Sequence, residues 1–196
     1  MKKIIKKSII GLFLITFIYT VSLFIAPLTL EPHTVEDLDG NANMIDYSDK
    51  WKELPLYHNI VYTFSDFNCH QKASRSYFIN DNQMPVCARD VGIFVGLSLG
   101  FFFMSFAESD YDYKNILLKI LHIDTSISEK KKIAILIIVG ALFVLPIALD
   151  GGIQLVTYYE SNNPLRTVTG LIFGIGFSVF ISSLLLSVIP ITNQKE

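Results

Sequence analysis

Four blocks of the chain carry no charged side chain: residues 8–28, 91–107, 133–149 and 168–189. A helix needs roughly 20 residues to cross a bilayer, and the shorter blocks reach that length by extending into their polar flanks. Spans are therefore predicted at about 8–28, 88–107, 132–150 and 164–189. Between the first two the pattern changes. Residues 31–49 are polar, with Pro32 and Gly40 among turn-forming residues, and read as a flexible connector. Over residues 51–71 the apolar positions Leu54, Leu56, Ile60, Val61, Phe64 and Phe67 recur close to the helical period, which predicts an amphipathic helix. Trp51, Tyr57 and Tyr62 suit a membrane interface, so this helix is expected across the outer mouth of the spans, with Cys69 and His70 at its carboxyl end. Residues 76–84, with Asn80, Asp81 and Asn82, read as a short link. The predicted class is all-α: one integral membrane domain over residues 1–196, a polytopic four-transmembrane-helix bundle with an outer amphipathic helix.

Glycine spacing adds a packing expectation. Gly92, Gly96 and Gly100 recur every four residues in the second span, and Gly170 and Gly174 do so in the fourth. Such faces let two helix backbones approach closely in lipid, so these two spans are predicted to pack on each other. An asparagine, Asn162 or Asn163, followed by Pro164 is a helix-start signal. It puts Arg166 in the first turn, where a cation opposes the helix dipole, and that calls for a carboxylate such as Asp150 or Glu160, or a bound anion.

Charge sets the orientation. Charged residues make up 17% of the chain, against about 25% in soluble domains. The net charge of −2 gives no reason to expect nucleic acid as a partner. Lys2, Lys3, Lys6 and Lys7 precede the first span, Lys114, Lys119, Lys130, Lys131 and Lys132 lie between the second and third, and Lys195 follows the fourth. The outer segment 31–84 instead opens with Glu31, Glu36, Asp37, Asp39, Asp46 and Asp49. The positive-inside rule then predicts a multi-pass cell-membrane protein with both termini cytoplasmic and the Cys69–Cys87 segment extracytoplasmic. The first span reads as an uncleaved anchor, because its apolar core exceeds the roughly 7–15 residues of a signal peptide and Pro27 follows Ala26.

The candidate chemistry falls on that outer side. Cys69, His70 and Cys87, with Asp150 as a fourth ligand, form a donor set that zinc or another divalent transition metal favours. Adjacent residues on a regular helix point about 100° apart, so Cys69 and His70 can share an ion only where the helix ends. Arg75, Arg89 and Arg166 are suited to holding an anionic head group, with Gln154, Asn162 and Asn163 as further hydrogen-bonding groups. The corresponding activity is a hydrolase or transferase acting on a lipid or a small anion, with Asp150, Glu160 and Arg166 as catalytic candidates. Two alternatives stand beside it. Cys69 and Cys87 are equally able to form a disulfide in an oxidising compartment. The charged residues also fit a binding, transport or structural module without chemistry. No Gly-x-Ser-x-Gly, His-Glu-x-x-His or phosphate-cradling glycine loop occurs.

Five separated motifs occur in order: Cys69-His70-Gln71, Arg75-Ser76, residues 85–92 (Pro-Val-Cys-Ala-Arg-Asp-Val-Gly), residues 150–154 (Asp-Gly-Gly-Ile-Gln) and residues 160–170 (Glu-Ser-Asn-Asn-Pro-Leu-Arg-Thr-Val-Thr-Gly). Over residues 57–189 the chain resembles the small membrane proteins grouped as domain of unknown function 2085. Asp90 departs from the family pattern, and no role is assigned to it. The resemblance implies a compact helical membrane bundle and carries no reaction with it.

Overall fold

A computed structural model of the chain describes residues 2–187. The last residues of the fourth predicted span and Lys195 lie outside the described residues. The elements in order are α1 (Lys2–Thr29), α2 (Ser48–Lys52), α3 (Leu56–Asn68), β1 (Ser76–Ile79), β2 (Asn82–Cys87), α4 (Ala88–Met104), α5 (Tyr113–Ile120), α6 (Glu129–Val156) and α7 (Asn163–Ser187). The chain is mostly helical. Among the described residues three helices, α1, α6 and α7, are long and apolar enough to cross a membrane. The remaining apolar block, residues 91–107, forms most of α4, a helix of 17 residues.

Among the described helices α4 and α7 make the most extensive contact, for the reason the glycine spacing predicts. A Cβ placed on Gly92 would overlap the Thr167 carbonyl oxygen, and one on Gly96 would overlap that of Leu171. From the other side, Gly170 meets the Arg89 carbonyl and Gly174 that of Ile93. Helix α1 packs on the opposite flank of α4, where the Thr20 hydroxyl lies 3.1 Å from that of Ser98. Helix α6 rests on α7, with Phe143 filling the notch left by Gly176. The helices thus follow one another in the order α1–α4–α7–α6. Along α6 the apolar side chains Ile137, Ile138, Leu142 and Leu149 point outward, as on a helix surrounded by lipid.

The two ends differ. At the lysine-rich end Ile9, Phe101, Met104, Ile116 and Leu186 form one apolar cluster. There α5 packs inward through Ile116 and Leu118, Lys114 ties it to the start of α6 through Glu129, and Lys132 of α6 donates to Asn115 of α5 at 3.0 Å. The opposite end carries a cap, and it departs from expectation in three respects. Residues 31–47 are a packed lid, not a flexible connector. Val35 and Leu38 are buried, and the Asn82 and Gln83 side chains accept hydrogen bonds from their backbone N–H groups at 2.9 and 3.0 Å. The expected single helix is broken at Pro55 into α2 and α3. The expected short link is a β-hairpin, β1–β2, turning at Asn80 and Asp81, both with positive φ as the tightest hairpin turns require.

The helical period leaves open which face of α3 turns inward. Its buried side carries His58, Val61, Tyr62, Ser65 and Asp66, while Leu56, Ile60, Phe64 and Phe67 face outward. Thr29 meets His58 and Tyr19 meets Ser65. These pairs run in opposite order along the two helices, so α3 folds back along the second half of α1. Asp66 anchors it by accepting from the Trp51 indole at 2.8 Å and the Tyr47 backbone at 3.0 Å.

Candidate functional site

The cysteine that follows α3 and the one that precedes α4 meet because the hairpin returns the chain. Helix α3 ends at Asn68, and Cys69 leaves it in an extended conformation. Gln71 then adopts a left-handed φ of 49°, unfavourable for a residue with a Cβ. Its side chain holds it there by donating to the Pro85 carbonyl at 2.7 Å, while its own carbonyl accepts from Gln83. Gln71 is therefore a structural residue that fixes Cys69 against β2. Cys87 ends that strand and immediately precedes α4.

Both cysteines are free thiols. The Cys69 sulfur is buried and accepts from the Cys87 and Gln71 backbone N–H groups at 3.2 and 3.5 Å. The Cys87 thiol donates to Asp90 Oδ2 at 3.2 Å, one turn into α4. One ligand atom from each of Cys69, Cys87 and Asp90 lies within 4.8 Å of the others. A tetrahedral metal with sulfur bonds of 2.3 Å holds its sulfurs roughly 3.8 Å apart, so a cation is admitted with at most about an ångström of closure. The hydrogen bond its thiol shares with the Cys87 sulfur, then burial, then the charges of Cys87 and Asp90 push the Cys69 thiol far above its ordinary range. Three acidic groups crowd one spot here, a load that a cation relieves.

These groups form one wall of a cleft of about 290 Å³ at the mouth of the α4–α7 seam. The other walls bring Arg75, Arg89, Arg166 and Gln154, with exposed His70 at the rim. Arg89 pairs with Asp150, whose side chain is 3% exposed. Arg75 pairs with Glu160 at 3.1 Å. Arg166 is buried and donates to neutral oxygens, Gln154 Oε1 at 3.0 Å and Asn163 Oδ1 at 3.4 Å. Of the two asparagines before Pro164, Asn162 accepts from the Leu165 N–H at 2.9 Å and caps α7. Asn163 donates to the Ser76 carbonyl at 3.0 Å and ties α7 to the hairpin.

The carboxylate beside the thiols is Asp90, which the sequence reading leaves without a role, whereas the Asp150 carboxylate is turned to Arg89. The available signal was spacing. Cys87 and Asp90 are three apart at the start of a helix, and such residues share a face. Lys72 also enters the cleft, held by Asp39 of the lid at 3.0 Å.

The family described as "Predicted membrane protein (DUF2085)" matches residues 69–180. The chain belongs to the DUF2085 family. An uncharacterized protein of Methanocaldococcus jannaschii is 32% identical over 162 residues, covering 82% of both chains. An uncharacterized protein of Methanothermobacter thermautotrophicus is 32% identical over 111 residues, covering 57% of this chain and 81% of its own. No solved structure matches. The DUF2085 match opens at Cys69 and includes both thiols, Asp90 and all three arginines. The lid and α1 precede it.

Proposed function

We propose that this DUF2085 protein crosses the cell membrane four times, through α1, α4, α6 and α7, with the lysine-rich end cytoplasmic and the capped end outside. The distribution of lysines supports that orientation. The outward apolar face of α3 fits immersion of the cap in the bilayer interface. At the capped end Cys69, Cys87 and Asp90 bind zinc or another divalent transition metal, with His70 at the rim as a further ligand and Asp150 orienting Arg89. The protein is a hydrolase or transferase for a lipid head group or small anion drawn in by the arginines. A bound metal would polarise an oxygen of the substrate or activate water. The carrying observation is that two thiols and a carboxylate share one cleft with three guanidinium groups.

Elemental analysis of the purified chain tests this reading. One equivalent of metal is expected in the wild type and less than a tenth of that in the Cys69→Ser plus Cys87→Ser double variant. A metal-free wild type, or full occupancy in the double variant, ends it. The closeness of the thiols favours one second reading, a disulfide between Cys69 and Cys87 on an oxidising outer face. Thiols labelled only after reduction support the bridge. Thiols labelled only after chelation support the metal.

A further inference from the structure

Arg166 carries the charge that the cleft leaves unanswered. It is 3% exposed and lines the cleft beside the thiols. An arginine does not shed its proton inside a protein, so a buried guanidinium keeps its charge and calls for an anion. The other two arginines have theirs, in Asp150 and Glu160. Arg166 holds only the amide oxygens of Gln154 and Asn163, and no carboxylate among the described residues forms an ion pair with it. The remaining acid of the cleft, Asp90, accepts the Cys87 thiol hydrogen bond. Among the described residues two more donors lack partners: the Nε–H groups of Arg75 and Arg89 are buried without an acceptor. Arg166 also sits in the first turn of α7, where the helix dipole disfavours a cation and favours an anion beside it.

We propose that Arg166 is the principal binding residue for a phosphoryl oxyanion in this cleft, with Arg75 and Arg89 supplying further donors. One arginine fork satisfies a planar carboxylate. Guanidinium groups converging from α7, α4 and the turn before β1 suit the several oxygens of a tetrahedral phosphate. The source is either free phosphate or the phosphate of a lipid head group. The inference rests on the cleft being a ligand site, as proposed above, and not on its metal.

Thermal unfolding of the full chain in detergent, after chelation, tests it with two probes: inorganic phosphate and short-chain dihexanoylphosphatidic acid, each against chloride at equal ionic strength. At least one probe is expected to raise the wild-type midpoint, because a ligand of the native state stabilises it. A shift with inorganic phosphate assigns the free ion, and one with the lipid alone assigns a head group. Arg166→Gln abolishes the shift and, without ligand, melts no lower than wild type, since a neutral amide replaces an unneutralised buried charge. A purely structural Arg166 gives the opposite: a lower midpoint in Arg166→Gln and no shift in either protein. If Arg166→Gln does not fold, Arg166→Lys keeps the charge without the fork and is expected to bind at least tenfold more weakly by calorimetry. No shift with either probe, or an equal shift in Arg166→Gln, overturns the inference. So does a shift seen only before chelation, which assigns the anion to the metal. A metal-free protein that still binds phosphate through Arg166 overturns the metal reading alone.

Discussion

The seam between α4 and α7 and the cleft at its mouth are built from the same two helices by opposite means. Along the seam, side chains are removed: Gly92, Gly96, Gly170 and Gly174 let carbonyl oxygens and backbone face each other across the helices, and Gly100 admits the Ser178 side chain. At the mouth, long polar side chains are brought in, and ion pairs and amide hydrogen bonds fill the space. Lipid offers no hydrophobic drive to bring helices together, so close packing does that work. The cleft rests on that rigid seam, since Cys87 and Arg89 begin α4 and Arg166 begins α7. Stability therefore concentrates along the seam, and the proposed chemistry at its mouth.

The sharpest way to break this contrast is to fill the seam. Gly96→Leu or Gly170→Leu drives a side chain into backbone that cannot move aside, and is expected to cost about 3 kcal/mol or more. Gly140→Leu is the control, because its Cβ would meet nothing within 4 Å, and it should melt within a degree or two of wild type. Unfolding midpoints and monodispersity in detergent distinguish the two. Equal losses at Gly96 and Gly140 would show that the seam has no special role.

At the mouth the expected losses are smaller and coupled. Asp150→Ala strands Arg89 and is expected to cost about 2 kcal/mol, below the value for a fully buried pair because the Arg89 side chain is 25% exposed. The Arg89→Ala plus Asp150→Ala double variant should lose less than the sum of the single losses, with a coupling of about 1 kcal/mol. Strict additivity would mean that the pair contributes nothing.

The seam was legible in the sequence because its signal is a period, four residues repeated in two blocks. The start of α7 was legible because Asn162 and Pro164 act locally. The cap was not, because its order comes from long-range hydrogen bonds. Residues 31–47 bury only a few apolar side chains and otherwise lean on Asn82 and Gln83, some 45 residues away. Strand β2 hides its character, since Asn82 to Val86 are all buried, without the alternation that marks a half-exposed strand. Helix α3 showed its period but not which face turns inward. Asp66 and His58 go inside because Trp51, Tyr47 and Thr29 provide partners. Of the cleft, the sequence marked the cysteines and arginines. It did not mark Asp90, whose importance lies in its distance from two sulfurs.

Asn82 measures how far the cap depends on such bonds. Its side chain accepts from the Val35 N–H and donates to the carbonyls of Pro27, Glu31 and Asn80. Asn82→Ala leaves buried backbone groups without partners and is expected to cost about 2 kcal/mol, with faster proteolysis within residues 31–47. Asp46→Ala, on the exposed rim of the same lid, removes an exposed contact with Asn41 and should cost about 0.5 kcal/mol or less. If protease reaches the lid equally fast in the wild type, the lid is not held as described.

The smallest expected effect separates cap from seam by pH. His58 lies at the α1–α3 contact, with Nε2 bonded to Thr29 at 2.9 Å and Nδ1 buried without a partner. Burial lowers its pKa below the ordinary histidine value. The unfolded chain therefore takes up a proton at higher pH than the folded one, and stability rises with pH wherever the unfolded state holds more protons. The contribution is complete above the unfolded pKa, about 6.5, and is lost as pH falls through the lower folded value. Melting curves from pH 7.5 down to 5 should show the cap loosening before the seam, read as protease access to residues 31–47 ahead of global unfolding. His58→Asn, which cannot titrate, should remove the part of the slope below pH 6.5 that this histidine supplies and leave the Gly96→Leu loss unchanged. A slope that is identical in the variant would place the pH response elsewhere in the molecule and unlink His58 from the docking of α3 on α1.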